Sequence, residues 1–331
     1  MTRPTVVLTN PIEASARARL DAHATVVVAT ADDPATLREA VRDADALIVR
    51  AMLPPDVFDV GRRVLAAVRH GAGVDLIPVA AATAAGVIVA NVPGANAATV
   101  AEHAFAQMLR LARRLDRIEA TLRAEGWAAA RPLADDGREL QGTTLGVIGV
   151  GAIGARIARI GGQGFGMRVL GHRRRAAPLP EGVEPAGLDE LLAAADWVVL
   201  ACPLTDETRG LLDRHRIARM RPGAVLVNVS RGAVVDEAAL VEALREGRLG
   251  GAVLDVYASQ PLPADSPLRG LDRVLLSPHV AGISADSMRR MSAVSVDQVL
   301  AVLRGDAPEH FINPEVWPAR RPNPHARAAR P

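Results

Sequence analysis

Short runs of β-branched and aliphatic residues alternate along this chain with longer alanine-rich stretches in which apolar positions recur every three or four residues. The short runs are apolar at successive positions, so they suit strands buried on both faces of a parallel sheet. The longer stretches suit amphipathic helices that cross over those faces. The alternation occurs in two series. The first predicts strands over residues 5–8, 25–28, 46–49, 66–69 and 87–90. The second predicts strands over residues 145–148, 168–170, 197–201, 224–229, 251–255 and 274–277. Two long helical patterns, over residues 97–124 and 284–304, lie where the series meet and would carry the chain from one domain to the other and back. The class is therefore α/β, with two doubly wound parallel sheets.

Only the second series carries a glycine-rich turn. Leu145-Gly-Val-Ile-Gly-Val-Gly-Ala-Ile-Gly154 is an apolar strand running into GxGxxG, with a helical pattern after it. In such a unit Gly149 permits a tight turn, Gly151 lets backbone approach a pyrophosphate, and Gly154 lets helix pack on strand, with the phosphates at a helix N-terminus. This predicts two Rossmann-like lobes: a dinucleotide-binding domain over 99–282, and a substrate-binding domain built from 1–98 and 283–318. Residues 319–331, rich in Arg and Pro without apolar periodicity, read as a disordered tail.

A binder of NAD usually places an acid about 20 residues beyond the turn, at the end of the second strand, to hold the ribose 2′-hydroxyl. Here that strand ends in His172, Arg173, Arg174 and Arg175. Guanidinium groups suit a 2′-phosphate, and no carboxylate is present to repel it, so NADP(H) is favoured over NAD(H). The plain alternative is a solvated turn.

At 331 residues and 49% hydrophobic, the chain can bury more than one sizeable core, in keeping with two domains. Basic and acidic residues nearly cancel, 39 against 37, so nothing favours a nucleic-acid partner, and every lysine-or-arginine position is arginine. Cys202 is the only cysteine, which excludes an intrachain disulfide and fits a reducing cytoplasm. The N-terminus reads as a strand rather than a signal peptide, and no apolar run is long enough to span a membrane.

Four further segments carry a resemblance: Gly71-Ala-Gly-Val-Asp75, Asn96-Ala-Ala-Thr-Val-Ala-Glu-His103, Asn228-Val-Ser-Arg-Gly-Ala-Val-Val-Asp236 and Ser277-Pro-His279. In their order and spacing around GxGxxG, from about Ala46 to Asn313, the chain resembles the D-isomer-specific 2-hydroxyacid dehydrogenases. The resemblance implies a bilobed protein with its active site in the interdomain cleft, a small 2-oxo or 2-hydroxy acid as partner, no metal, and a homodimer through the cofactor domain. It matches Arg231 to the arginine that holds the substrate carboxylate and polarises the 2-oxo group, and His279 to the acid/base that protonates the carbonyl oxygen. Asp255 matches the residue that binds the nicotinamide carboxamide, and Cys202 and Pro203 lie where the family passes the adenosine. Cys202 itself reads as a packing residue, since no histidine or second cysteine neighbours it. Ala152, Ile153, His172, Thr208, Val229 and Gly282 join the cofactor set, together with Arg231 and His279. Substrate binding is implied for Ala72 and Gly73, whose amides would cradle the carboxylate, and for Asn96 and Arg50. Asn96 reads equally as an N-cap for the following helix, and Arg50 hints at a distal anion on the substrate.

One departure stands out. Where the family has Asp-Val-Phe, two variable residues and Glu-Pro, this chain has Asp255-Val-Tyr-Ala-Ser-Gln260-Pro261. Gln260 can accept a hydrogen bond from His279 but adds no charge to stabilise imidazolium. The same substitution occurs in formate dehydrogenases, which need no general acid, so formate oxidation is one alternative. A non-catalytic, cofactor-sensing corepressor is another. The favoured expectation is reduction of a glyoxylate- or hydroxypyruvate-like 2-oxo acid.

Overall fold

The structure is a computed structural model that describes residues 3–174 and 177–326. It divides into two compact units: one runs from the N-terminal segment to Asn96 and resumes at Ser284, and the other is Ala97–Ile283.

The first unit holds strands β1 (Thr5–Leu8), β2 (Thr25–Val28), β3 (Ala46–Val49), β4 (Ala66–Arg69) and β5 (Ile88–Ala90) in one parallel sheet of order β2-β1-β3-β4-β5. Alternate residues face opposite layers, and both layers are apolar. Val6, Leu8, Ile48 and Val68 pack with Leu20 and with Val296, Val299 and Val302 of helix Ala285–Arg304. Val7, Leu47, Val49 and Ala67 pack on the other side with Leu37, Val41 and Phe58.

The second unit holds β6 (Thr144–Ile148), β7 (Arg168–His172), β8 (Val183–Pro185), β9 (Trp197–Leu200), β10 (Val225–Asn228), β11 (Gly251–Leu254) and β12 (Val274–Leu276), ordered β12-β11-β10-β9-β6-β7-β8 and parallel throughout. Numbered within the unit, this is the 3-2-1-4-5-6 order of a dinucleotide-binding sheet with one strand added. Strand order reverses between β6 and β9, and open α/β sheets bind ligands outside the carboxyl ends of their strands at such a point.

Three expectations need correction. The long helix expected over 97–124 is two helices, Ala97–Ala112 and Leu115–Glu125, because Arg114 takes a left-handed conformation at φ 54°. Strand β8 was not foreseen: it is three residues long, at a sheet edge, and ends in proline. The tail expected to be disordered from 319 is tied down as far as it is described, to residue 326. Arg321 donates to the carbonyls of Phe58, Gly61, Val64 and Ala85, and Asn323 donates to Val302. Just upstream, Asn313 accepts from the Val89 amide and donates to the Val87 carbonyl, which covers the edge of β5.

Candidate active site

The glycine-rich turn leaves β6 at the point where strand order reverses, and each glycine has a separate steric reason. Gly149 sits at φ 96°, and a Cβ there would lie 2.5 Å from the Cys202 amide nitrogen at the end of β9. A Cβ at Gly154 would lie 2.2 Å from the Gly149 carbonyl oxygen, so helix Ala152–Arg159 can approach β6 only with glycine at that position. Gly151 is the opposite case: a Cβ there would meet nothing within 4 Å. Open space over Gly151, with Ala152 and Ile153 opening a helix behind it, fits a pyrophosphate against bare backbone.

Around this turn, Arg173 donates to the Val150 carbonyl inside the glycine loop and to the Pro178 carbonyl at 2.9 Å, while Arg174 is ion-paired with Glu207. Arg175 lies outside the described residues. His172 closes β7, its Nδ1 3.1 Å from the Ala186 carbonyl. Thr208 donates to the Pro203 carbonyl at 2.7 Å and accepts from the Thr205 amide, which shapes the loop after β9. Cys202 is buried, and burial pushes its thiol above the usual range, as befits a packing residue that stays protonated.

Arg231 follows β10 in a turn held by the buried Asn228, which donates to the Arg231 carbonyl at 3.0 Å and accepts from both the amide and the hydroxyl of Ser230. Buried Val229 lies inside this turn. His279 follows β12 at φ 55°, an uncommon conformation for a residue with a Cβ. It is held by Asp255, which is 1% exposed. The Asp255 carbonyl accepts from the His279 amide at 2.8 Å, and its carboxylate accepts from the amides of Val280 and Ala281, both at 2.9 Å, and from the Ser277 hydroxyl at 2.6 Å. A carboxylate has about four acceptor directions, so three of them are committed to this loop. Gly282 comes immediately after it. The imidazole Nδ1 lies 3.0 Å from Gln260 Oε1, which brings the exposed His279 and Gln260 together.

In the first unit, the segment after β4 has its carbonyls occupied in succession: Gly71 accepts from the Val92 amide, Ala72 from the Asn91 side chain and Gly73 from Arg69 Nε. Among the described residues the amides of Ala72, Gly73 and Val74 have no acceptor, which leaves three consecutive donors for an anion. Beneath the loop, His70 is 3% exposed, with Nε2 2.8 Å from Ser292 Oγ. Burial, reinforced by the charges of Arg50 and Arg69, pushes its pKa down to about 3. Arg50 is half-buried, contacts the Pro11 carbonyl and the Met288 sulfur, and has no carboxylate partner among the described residues. Burial lowers its pKa as well. Asn96 Oδ1 is buried without a hydrogen-bond partner, so the capping alternative is not realised.

The sequence reading missed Arg69, Asn91 and Glu207, and also His103, whose Nε2 lies 3.1 Å from the Ser277 hydroxyl. Asn91, Glu207 and His103 act on segments distant in sequence, so the contacts they make are not marked locally, and Arg69, which reaches both Gly73 nearby and Val49 on the neighbouring strand, looks like an ordinary strand-end residue. Among the described residues no group of three or more potential ligands could hold a metal, and no helix is long and apolar enough to cross a membrane.

Comparison with known proteins agrees with this arrangement. The family pattern described as "D-isomer specific 2-hydroxyacid dehydrogenase, NAD binding domain" matches residues 105–281. A glyoxylate reductase of Korarchaeum cryptofilum is 36% identical over 329 residues, covering 97% of this chain and 99% of that protein. A glyoxylate/hydroxypyruvate reductase B of Pectobacterium carotovorum is 36% identical, covering 95% of this chain and 99% of its own. Among solved structures, the NADPH-dependent glyoxylate/hydroxypyruvate reductase of Sinorhizobium meliloti, in complex with NADP and malonate, superposes with a TM-score of 0.87 at 30% identity, covering 97% of this chain and 99% of that one. The chain belongs to the D-isomer-specific 2-hydroxyacid dehydrogenase family, and residues 105–281 are the NAD-binding domain of an oxidoreductase.

Proposed function

We propose that this protein reduces small 2-oxo acids of the glyoxylate or hydroxypyruvate kind to D-2-hydroxy acids, reversibly, with NADP(H) preferred over NAD(H). The observation that carries the reading is the contact between His279 Nδ1 and Gln260 Oε1 at 3.0 Å. An amide oxygen can only accept a hydrogen bond, so Nδ1 keeps its proton and donates it to Gln260, which leaves Nε2 as the position where the imidazole gains and loses a proton. In reduction His279 gives that proton to the 2-oxo oxygen, and in oxidation it takes it back. Arg231 presents a planar fork of donors to the carboxylate beside the carbonyl. When bound, the nicotinamide cofactor supplies the hydride. Gly149, Gly151, Ala152, Ile153 and Gly154 would hold its pyrophosphate, with Cys202, Pro203, Thr208 and Asp255 among its other neighbours. The free amides of Ala72 and Gly73 are the carboxylate-binding element of the first unit, with Asn96 and Arg50 as further substrate contacts.

Preference for NADP(H) rests on two arginines and no carboxylate in the stretch that ends β7, with Arg173 tethered to the glycine loop itself. The archaeal and Pectobacterium relatives, a glyoxylate reductase and a glyoxylate/hydroxypyruvate reductase, support the substrate class, and the NADPH-dependent Sinorhizobium enzyme supports the cofactor as well. A homodimer through the cofactor unit is supported by exposed Leu115, Leu122 and Trp127 along helices Leu115–Glu125 and Trp127–Ala130.

Gln260 also favours a second reading, hydride removal from formate, which needs no proton donor at His279. A panel of glyoxylate, hydroxypyruvate and formate, each with NADPH or NADH (or the oxidised forms for formate), tests both readings. Fastest turnover of a 2-oxo acid with NADPH is the expected result. Formate oxidation alone would transfer the assignment to the second reading, and binding of cofactor without any turnover would make the protein a sensor.

A further inference from the structure

We propose that the Tyr257 hydroxyl is a positioning group that fixes the loop bearing His279 against the strand end bearing Asp255 and Gln260. The inference rests on the functional reading of His279 given above. Tyr257 is the only tyrosine in the chain, and it is 6% exposed. Its hydroxyl lies 2.8 Å from the Ser277 carbonyl, just ahead of His279, and 3.0 Å from the Leu254 carbonyl, at the end of β11. One phenolic proton thus bridges the ends of two neighbouring strands at the place where both feed the site.

Neither carbonyl depends on the phenol for satisfaction, because Leu254 also accepts from the Ser277 amide at 3.0 Å and Ser277 from the His279 amide at 3.1 Å. Removing the hydroxyl therefore strands no buried acceptor, and its effect falls on geometry rather than on folding. What it anchors, through the Ser277 carbonyl, is the segment leading into His279, whose left-handed conformation few side chains adopt and which neighbouring contacts must impose. The backbone of Tyr257 serves the site a second time. A Cβ on Gly232 would fall 1.9 Å from the Tyr257 carbonyl group, so the turn that carries Arg231 lies directly on this residue. Residues 255–260 thereby touch all three groups assigned to catalysis: Arg231 through Gly232, His279 through Asp255 and Tyr257, and Gln260 as their own member.

The test is Tyr257→Phe in the full chain, assayed with glyoxylate or hydroxypyruvate, whichever turns over faster, and NADPH. The expected result is a fall in kcat of roughly tenfold, the equivalent of one well-placed buried hydrogen bond, with NADPH binding unchanged and the protein fully folded at the assay temperature. In a Gln260→Ala background the same substitution should cost much less, because the two act on one imidazole. A kcat within twofold of wild type, or losses that simply multiply in the double variant, overturns the proposal. Because no other tyrosine is present, phenolate absorbance reports this group alone. A native-state phenol that titrates like a free one also overturns the proposal. Full activity in His279→Ala would instead overturn the functional reading and not the clamp, which the phenolate titration still tests on its own.

Discussion

Acidification should destabilise the first unit through His70. The ordinary histidine value of 6.5 is pushed down to about 3 by burial and by Arg50 and Arg69. Above pH 6.5 the imidazole is neutral in both the folded and the unfolded chain and contributes no pH dependence. Below 6.5 the unfolded chain binds a proton that the folded one refuses, so stability falls as pH falls and stops falling only near the folded value. At about 1.4 kcal/mol per unit of displacement, the ceiling is about 5 kcal/mol, and moving from pH 7.5 to 5 costs about 2 kcal/mol. His70→Gln keeps a neutral polar group near Ser292 and removes the titration. Trp317 sits edge-on to Phe311 in the same unit and reports its unfolding by fluorescence once Trp127 and Trp197 are replaced by Phe in both proteins. Urea titrations at the two pH values should show the parent losing about 2 kcal/mol more than the variant, since titrations of other groups are common to both. Equal losses would mean that His70 is protonated as easily inside the fold as outside it, and the account of its burial would fail.

Three further outcomes follow from the site. Arg231→Ala should lower kcat/KM by several orders of magnitude while leaving NADPH affinity nearly unchanged, since loss of a bidentate charged contact and of carbonyl polarisation is together worth more than about 3 kcal/mol; a loss below about tenfold would place the carboxylate elsewhere. Gln260→Glu puts a carboxylate against the His279 imidazole, which can only favour its protonated form, so the pH profile of reduction should extend to higher pH; a profile that stays in place or moves to lower pH counts against the pairing. NADPH should be used about tenfold better than NADH at low salt, with the gap narrowing as salt rises, and Arg173→Asp should reverse it. Equal use of both cofactors at low salt returns Arg173 and Arg174 to a solvated turn.

The features legible in the sequence were those that a local pattern encodes. β6 with its glycine turn could be read because strand, turn and helix are contiguous, and the three glycines meet three distinct steric demands. The break at Arg114 could not, because neither glycine nor proline marks it and arginine adopts that conformation only under tertiary constraint. Asn91, which holds the Ala72 carbonyl, Arg69, which ties Gly73 to the Val49 carbonyl of the neighbouring strand, and Tyr257, which bridges to Ser277, act on carbonyls that fold topology brings near. Their side chains look ordinary within their own segments. Arg174 illustrates the reverse limit: the arginine run was visible, but its contact with Glu207 joins positions more than thirty residues apart.

The discontinuous build of the first unit has a consequence for biosynthesis. The unit of residues 97–283 is one uninterrupted stretch, so every partner its sheet requires exists once that stretch has left the ribosome. The first unit differs: β1 to β5 emerge early, yet the layer that buries Val6, Ile48 and Val68 includes Val296, Val299 and Val302, made some two hundred residues later. Until then that side of the five-stranded apolar sheet has Leu20 but lacks the rest of its cover, and the edge of β5 lacks Asn313. The nascent chain therefore exposes apolar surface of this sheet until the segment around residues 296–313 has been made and can close it.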